Sequence, residues 1–173
     1  GTAPLVINRF SQKALNQIMA TQMDGKKARG KKKREAKNFD ECYQGARYIS
    51  TGGWDGMNSE SFRSAMIAAC RVTDMKMTEA KQSILEIIPD GVTDDEIALV
   101  RIVGKPNKDV RHARNDNGSI DVRARPMFKK WSAVVRVKFD ADMISLQSVA
   151  NLLSRAGQQV GVGEGRPFSK DSN

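Results

Sequence analysis

Histidine occurs once in this chain, at His112, and cysteine twice, at Cys42 and Cys70. One histidine excludes metal centres built from two or more, and any acid–base scheme that needs a pair of them. Two cysteines far apart in sequence make neither a paired-cysteine zinc site nor a disulfide framework. With eight methionines and no secretory pattern of basic residues followed by an apolar run, they point to a reducing, cytoplasmic setting. Aromatics are scarce at 6%, so a platform that stacks base after base is not expected. No run approaches the ~18 apolar residues of a spanning helix, and no membrane partner is expected. The phosphate loop ending in Gly-Lys-Ser/Thr and the Gly-x-Ser-x-Gly elbow are both missing. The common enzyme signatures are thereby removed, no metal site is visible, and no cofactor is expected.

What the chain has is positive charge. Across 173 residues, 29 Lys+Arg face 20 Asp+Glu, a formal +9, and the sequence pI is ≈ 9.8. That excess favours an anionic partner, nucleic acid first and an anionic membrane second. The length suits one domain, 1–173, and a hydrophobic content of 39% is enough to exclude wholesale disorder.

Periodicity divides the chain into elements. Pro4–Phe10 reads as a strand entered through proline, and Ser11 caps a helix over Gln12–Met23 with Ala14, Leu15, Ile18 and Met19 on one face. Asp40–Ser50 reads as a helical turn leading into a strand, and Thr51–Asn58 (TGGWDGMN) as a turn cluster. Asn58 or Ser59 caps a helix to Arg71 that faces Phe62, Met66, Ala69 and Cys70 inward; a second helix starts near Thr78 and spans MTEAKQSILEII. IALVRIVGKP is a strand. Asp109–Arg114 and Ser119–Arg125 form a hairpin about Asn-Gly, a pair that accepts positive φ. Trp131–Phe139 alternates, with Ala133, Val135, Val137 and Phe139 on the buried face. Ser145 opens a helix through Ala156 with Leu146, Val149, Leu152 and Leu153 inward, and Gly157 stops it. This order predicts an α+β fold: an antiparallel sheet with helices on one face, close to the ferredoxin-like (RRM-like) plan. A basic mobile loop is inserted at about 25–39 and a β-hairpin arm extends over about 105–130.

Four features bear on function. The loop carries Lys26, Lys27, Arg29, Lys31, Lys32, Lys33, Arg34 and Lys37 with one acid among them; it can track a phosphate backbone, or it is a solubilising insertion. The hairpin carries Lys105, Lys108, Arg111, His112, Arg114, Arg123, Arg125, Lys129 and Lys130, interrupted only by Asp109, Asp116 and Asp121. Arg123 and Arg125 fall on one strand face, where guanidinium forks grip phosphates; alternatively the arginines pair with the hairpin's own aspartates. His112 is a candidate acid–base group for RNA cleavage or a surface nucleotide contact. In VGVGEGRP, Gly161, Gly163 and Gly165 alternate, letting a backbone approach closely, unless the segment is simply a flexible tail. Trp54, in the glycine cluster, is a candidate stacking residue.

Two segments carry a resemblance. Gly56–Cys70 (GMNSESFRSAMIAAC) resembles the Pro-Gly-Ser-Ser-Leu-Lys-Gly-type segment of the RAMP superfamily, the RNA-binding subunits of CRISPR effector complexes, with Gly56, Ser59 and Ser61 approximating it. AGQQVGVGEGRP resembles that superfamily's Gly-rich loop, here 160–167, and the chain as a whole is similar to phage-encoded proteins of the group. The resemblance implies a ferredoxin-like domain in the bacterial host cytoplasm. It places Ser59, Ser61 and Arg63 near a phosphate backbone, at a helix N-terminus that is independently suited to anions. Gly161, Gly163, Gly165 and Arg166 would lie beside the same strand of nucleic acid, with the hairpin contacting the nucleic acid or the next subunit. A family member continues past the position of Asn173 with Gly-x-Gly and a last strand. That implies either a trimmed chain or a strand donated between copies, as in a filament or ring.

The resulting expectation is a non-enzymatic, phage-type protein that binds single-stranded nucleic acid, RNA or DNA, through its phosphates and forms a homo-oligomer along it. The alternatives are a RAMP-like RNA-cleaving enzyme using His112, and a phage interaction or inhibitor protein whose basic surface meets an acidic host partner.

Overall fold

The computed structural model describes residues 1–10, 15–16, 19–20, 37–114, 118 and 120–167. Positions 15–16 and 19–20 are helical, inside the helix expected over 12–23; the rest of that stretch, and loop positions 26–34, lie outside the described residues. The elements that follow are β1 (Leu5–Val6), α1 (Phe39–Gly45), β2 (Tyr48–Ile49), β3 (Asp55–Asn58) and α2 (Ser59–Ala69). A 3-10 turn (Cys70–Val72) leads to α3 (Met77–Ser83), β4 (Ile84–Ile88), β5 (Gly91–Val92), β6 (Ala98–Arg101), β7 (Val103–Arg114) and β8 (Ile120–Ser132). The chain continues through β9 (Arg136–Phe139), α4 (Leu146–Arg155) and a π-helical turn (Ala156–Val160).

The architecture is α+β with antiparallel pairing throughout the described strands. Where the sequence suggests one sheet, the strands divide into three: β1-β8-β7, β2-β3-β6-β5 and β4-β9. The division falls inside IALVRIVGKP. Ile102 sits between β6 and β7 with its side chain buried and its N–H donated to Asp55 O at 2.9 Å, so the chain leaves one ladder and enters the next within one residue.

Local chemistry explains the helices. The Asn58 side chain accepts from Glu60 N at 2.9 Å and starts α2. Phe62, Ala65, Met66 and Ala69 then recur at helical spacing and are all buried. Ser145 Oγ accepts from Ser148 N at 3.1 Å to start α4, whose Val149 and Leu152 enter the same core beside Leu5, Ile84 and Phe128. Leu146, expected inward, is 71% exposed, because it sits on the first turn ahead of the helix's packed stripe.

Several sequence expectations are corrected. ILEII is not helix but strand β4: Ser83 Oγ donates to Glu79 O at 2.8 Å where α3 closes, and Ile84 and Ile87 enter the core while pairing with β9. The β-branched residues favour the pleated ladder once a partner strand is present. The glycine cluster is a turn only as far as Gly53; Asp55–Asn58 is strand β3, paired with β2 on one side and β6 on the other. Trp131–Phe139 keeps its alternation of burial, but its first residues end β8 and its last form β9. Gly157 does not stop the last helix. The helix widens into the π-helical turn, and Gly161, at φ 73, ends it by donating its N–H to Ala156 O at 2.8 Å. Gln158–Val160 therefore belong to this turn and pair with no described strand. Among the described residues no helix is long and apolar enough to cross a membrane.

Candidate nucleic-acid interface

β7 and β8 form the long hairpin, and its register decides which charges meet. Asp109 pairs with Arg125, Arg111 with Arg123 and Ala113 with Asp121 on one face; Val110 with Ala124 and His112 with Val122 lie on the other. Two arginines directly opposite repel, and carboxylates relieve them. Arg111 Nε donates to Asp109 Oδ1 at 2.8 Å. Arg123 lies 3.6 Å from Glu164 and 4.0 Å from Asp121, and Arg125 Nη1 donates to Glu164 Oε2. Three guanidinium groups thus meet three carboxylates, two from the hairpin and one from the Gly-rich segment, and their charges balance. Arg125 and Asp109 are largely buried, and Arg125 Nε and Asp109 Oδ2 have no hydrogen-bond partner. Burial holds the Arg125 guanidinium below its ordinary pKa; Asp109 pulls it back up, while Arg123 and Arg111 add to the fall.

Glu164 reaches this cluster because the Gly-rich segment folds back on β1. Its backbone N–H donates to Val6 O at 2.9 Å, forming an antiparallel bridge, and its carboxylate accepts from Asn8 Nδ2 at 2.6 Å. Gly163, at φ 84, permits the approach: a Cβ there would lie 2.5 Å from Val6 O. Gly161 and Gly165 also take positive φ, and Arg166 Nη1 donates to Gly163 O at 3.5 Å. As far as Pro167 the segment is a docked loop, which corrects the reading as a flexible tail.

The base of the hairpin is different. Gly104 pairs with Trp131 and Pro106 with Phe128, so one residue of β7, Lys105, faces two of β8, Lys129 and Lys130. That is a β-bulge, which locally breaks the strict alternation of side chains. All three lysines are exposed, and none forms an ion pair with another described residue. An anion here meets three exposed cations with no carboxylate of the described residues paired to them.

The other candidate residues are dispersed. Lys37, counted with the mobile loop, is fixed: its Nζ donates to Asp121 Oδ1 at 2.8 Å and to Val122 O at 2.6 Å. That bond is the main cause holding the Asp121 carboxyl below its ordinary pKa. Lys108 pairs with Asp40 of α1 at 2.6 Å. Lys26, Lys27, Arg29, Lys31, Lys32, Lys33 and Arg34 lie outside the described residues. Arg114 is the last residue of β7. His112 is exposed and makes no hydrogen bond with another described residue.

On α2, Ser59 is buried, Ser61 is half-buried, and Glu60 occupies the first turn, where it competes with an incoming anion. Arg63 caps α3, donating through Nε to Ile84 O at 2.9 Å and through Nη2 to Lys81 O at 3.0 Å. Trp54 is packed against Gly56 and Gly91, and the Arg101 guanidinium lies 5.8 Å from its ring centroid, so it is not an open stacking face. Among the described residues, no three of His, Cys, Asp and Glu are grouped as metal ligands.

The structure therefore gathers Arg111, Arg123, Arg125 and the Gly161–Gly165 loop, and leaves Ser59, Ser61 and Arg63 on a separate helix. Sequence reasoning missed Asn8 and Glu164 as members of the cluster, and missed that Lys105, Lys129 and Lys130 stand apart from the paired arginines. The adjacent Lys129-Lys130, out of step with the alternation before it, was the available signal. In comparisons with known proteins, no family model matches this chain, nor does any curated protein or solved structure.

Proposed function

We propose that this protein binds the phosphate backbone of single-stranded nucleic acid, RNA or DNA, without enzymatic activity, in the cytoplasm, and that copies assemble along the polymer. The observation that carries the reading is the uncompensated trio Lys105, Lys129 and Lys130, on a chain of formal charge +9. Each lysine that neutralises a phosphate releases counterions, which gives sequence-tolerant, salt-sensitive affinity. A ferredoxin-like, RAMP-type domain is the finer fold reading; the α+β elements and the docked Gly-rich loop after the last helix support it.

Fluorescence anisotropy with labelled oligothymidylate and oligouridylate tests this. Between ~0.05 and ~0.2 M salt, log Kd should rise against log salt with a slope of about 2, three contacts at ~0.7 each. No binding at the lower salt, or a flat slope, contradicts the proposal. Light scattering with and without the polymer tests assembly, which should lengthen with the oligonucleotide.

A second reading, a protein-binding module, is favoured by the hairpin's opposite face, where Val110, Ile120 and Val122 are 48%, 70% and 40% exposed. A monomer with no affinity for either oligonucleotide would favour it.

A further inference from the structure

We infer that Arg123, Arg125 and Asn8 form a phosphate site whose present occupant is the chain's own Glu164 carboxylate, so that the Gly-rich loop competes with nucleic acid. This rests on the nucleic-acid reading above and deepens it by adding control of the same surface. Glu164 is held as an incoming anion would be, accepting from Asn8 Nδ2 at 2.6 Å and from Arg125 Nη1, with Arg123 Nη1 at 3.6 Å. A carboxylate and a phosphate are interchangeable acceptors for guanidinium forks, and the phosphate brings a further oxygen. The site has a donor to spare, because Arg125 Nε is unpartnered.

The occupant is also removable. The backbone of Glu164 is tethered through its single bridge to Val6, between glycines at φ 84 and φ 67. Rotation at glycine is sterically open on both sides of Glu164, so the loop can lift without unfolding α4. Docked, it leaves the arginines neutralised and the lysine trio as the open contact. Lifted, it adds two guanidinium groups to the hairpin's open cations.

The test compares wild type, Glu164→Gln and Gly163→Ala with labelled oligothymidylate. Glu164→Gln removes the competing charge; Gly163→Ala undocks the loop, since its Cβ would meet Val6 O at 2.5 Å. Both variants should bind about tenfold tighter at ~0.05 M salt, with the slope of log Kd against log salt steeper by about 1.4, two more phosphates at ~0.7 each. Adding Arg123→Gln to Glu164→Gln should cancel about half of the gain in slope. Unchanged affinity and slope in both variants, with wild-type binding still abolished by replacing the lysine trio, would overturn the inference and leave the function standing. Absence of binding in wild type and both variants would overturn the two together. Binding by the variants alone would support the inference and overturn the lysine trio as the open contact of the docked state.

Discussion

The two ends of one hairpin show how a basic sequence is converted into two different surfaces. Toward the tip, Arg111, Arg123 and Arg125 form ion pairs with Asp109, Asp121 and the incoming Glu164, and the charges cancel. At the base, a bulge places Lys105 opposite Lys129 and Lys130 with no carboxylate in the pairing. The residue type matches the task. Arginine's planar fork makes fixed, partly buried pairs at the tip, whereas lysine's hydrated point charge stays in solvent at the base. Density of positive charge along the sequence therefore says little about where an anion binds; what decides it is which positive charges the fold leaves unanswered.

The comparison breaks first at Arg125. Arg125→Met should cost ~3 kcal/mol, because it breaks the largely buried pair with Glu164 and removes the cation that stands across the strands from Asp109. Denaturant unfolding measures this, and a loss under ~1 kcal/mol would show that the tip is not held by its ion pairs. The same truncation at Lys105 should change stability by less than ~0.5 kcal/mol, as expected for an exposed, unpaired side chain.

A second variant makes the base resemble the tip. Lys129→Glu supplies the missing carboxylate beside Lys105. It lowers the net positive charge of the trio from three to one, and about two phosphate contacts should disappear from the salt slope, a change of ~1.4. Anisotropy reads the slope; binding that survives with wild-type salt dependence would place the contact elsewhere.

The smallest effect concerns the tether from Lys37, just before α1, to the tip. Asp121's carboxyl is held below its ordinary pKa, first by the hydrogen bond from Lys37. A carboxyl depressed in the folded state stabilises above its unfolded pKa of ~3.9, and the contribution fades as pH falls through the lowered value. Both side chains are about two-fifths exposed, so the effect is local. The protection of β8 amides near Val122 against hydrogen exchange, relative to their intrinsic rates at each pH, should fall as the pH is taken below that range, and Asp121→Asn should abolish the step. A carbon-13 titration that finds the Asp121 carboxyl at its ordinary value would remove the tether.

How far all this is legible in the sequence depends on the range of the interactions involved. The Asn58 and Ser145 caps, the Phe62–Met66 stripe and the alternation over Trp131–Phe139 are set by neighbours a few residues away, and the sequence shows them. The hairpin is legible for the same reason, and Gly118, between its strands, takes a φ of 79 that glycine accepts. Ile84–Ile88 is not legible, because its apolar spacing also fits a helix and only pairing with β9 makes it a strand. Nor is Glu164's place. It contacts Asn8, 156 residues earlier, and nothing local to VGVGEGRP marks it as the partner of Arg123 and Arg125. Arg63 looks like a phosphate ligand at a helix start until α3 ends beside it and offers two carbonyl oxygens.

One measurement tests the central claim most directly: the salt dependence of oligothymidylate binding for wild type, for Lys105→Gln/Lys129→Gln/Lys130→Gln, and for Arg111→Gln/Arg123→Gln. If the base is the open phosphate surface and the tip is already neutralised, the lysine variant should lose about 2 from the slope of log Kd against log salt, and the arginine variant less than ~0.7. Equal losses in the two, or a larger loss from the arginines, would contradict the account.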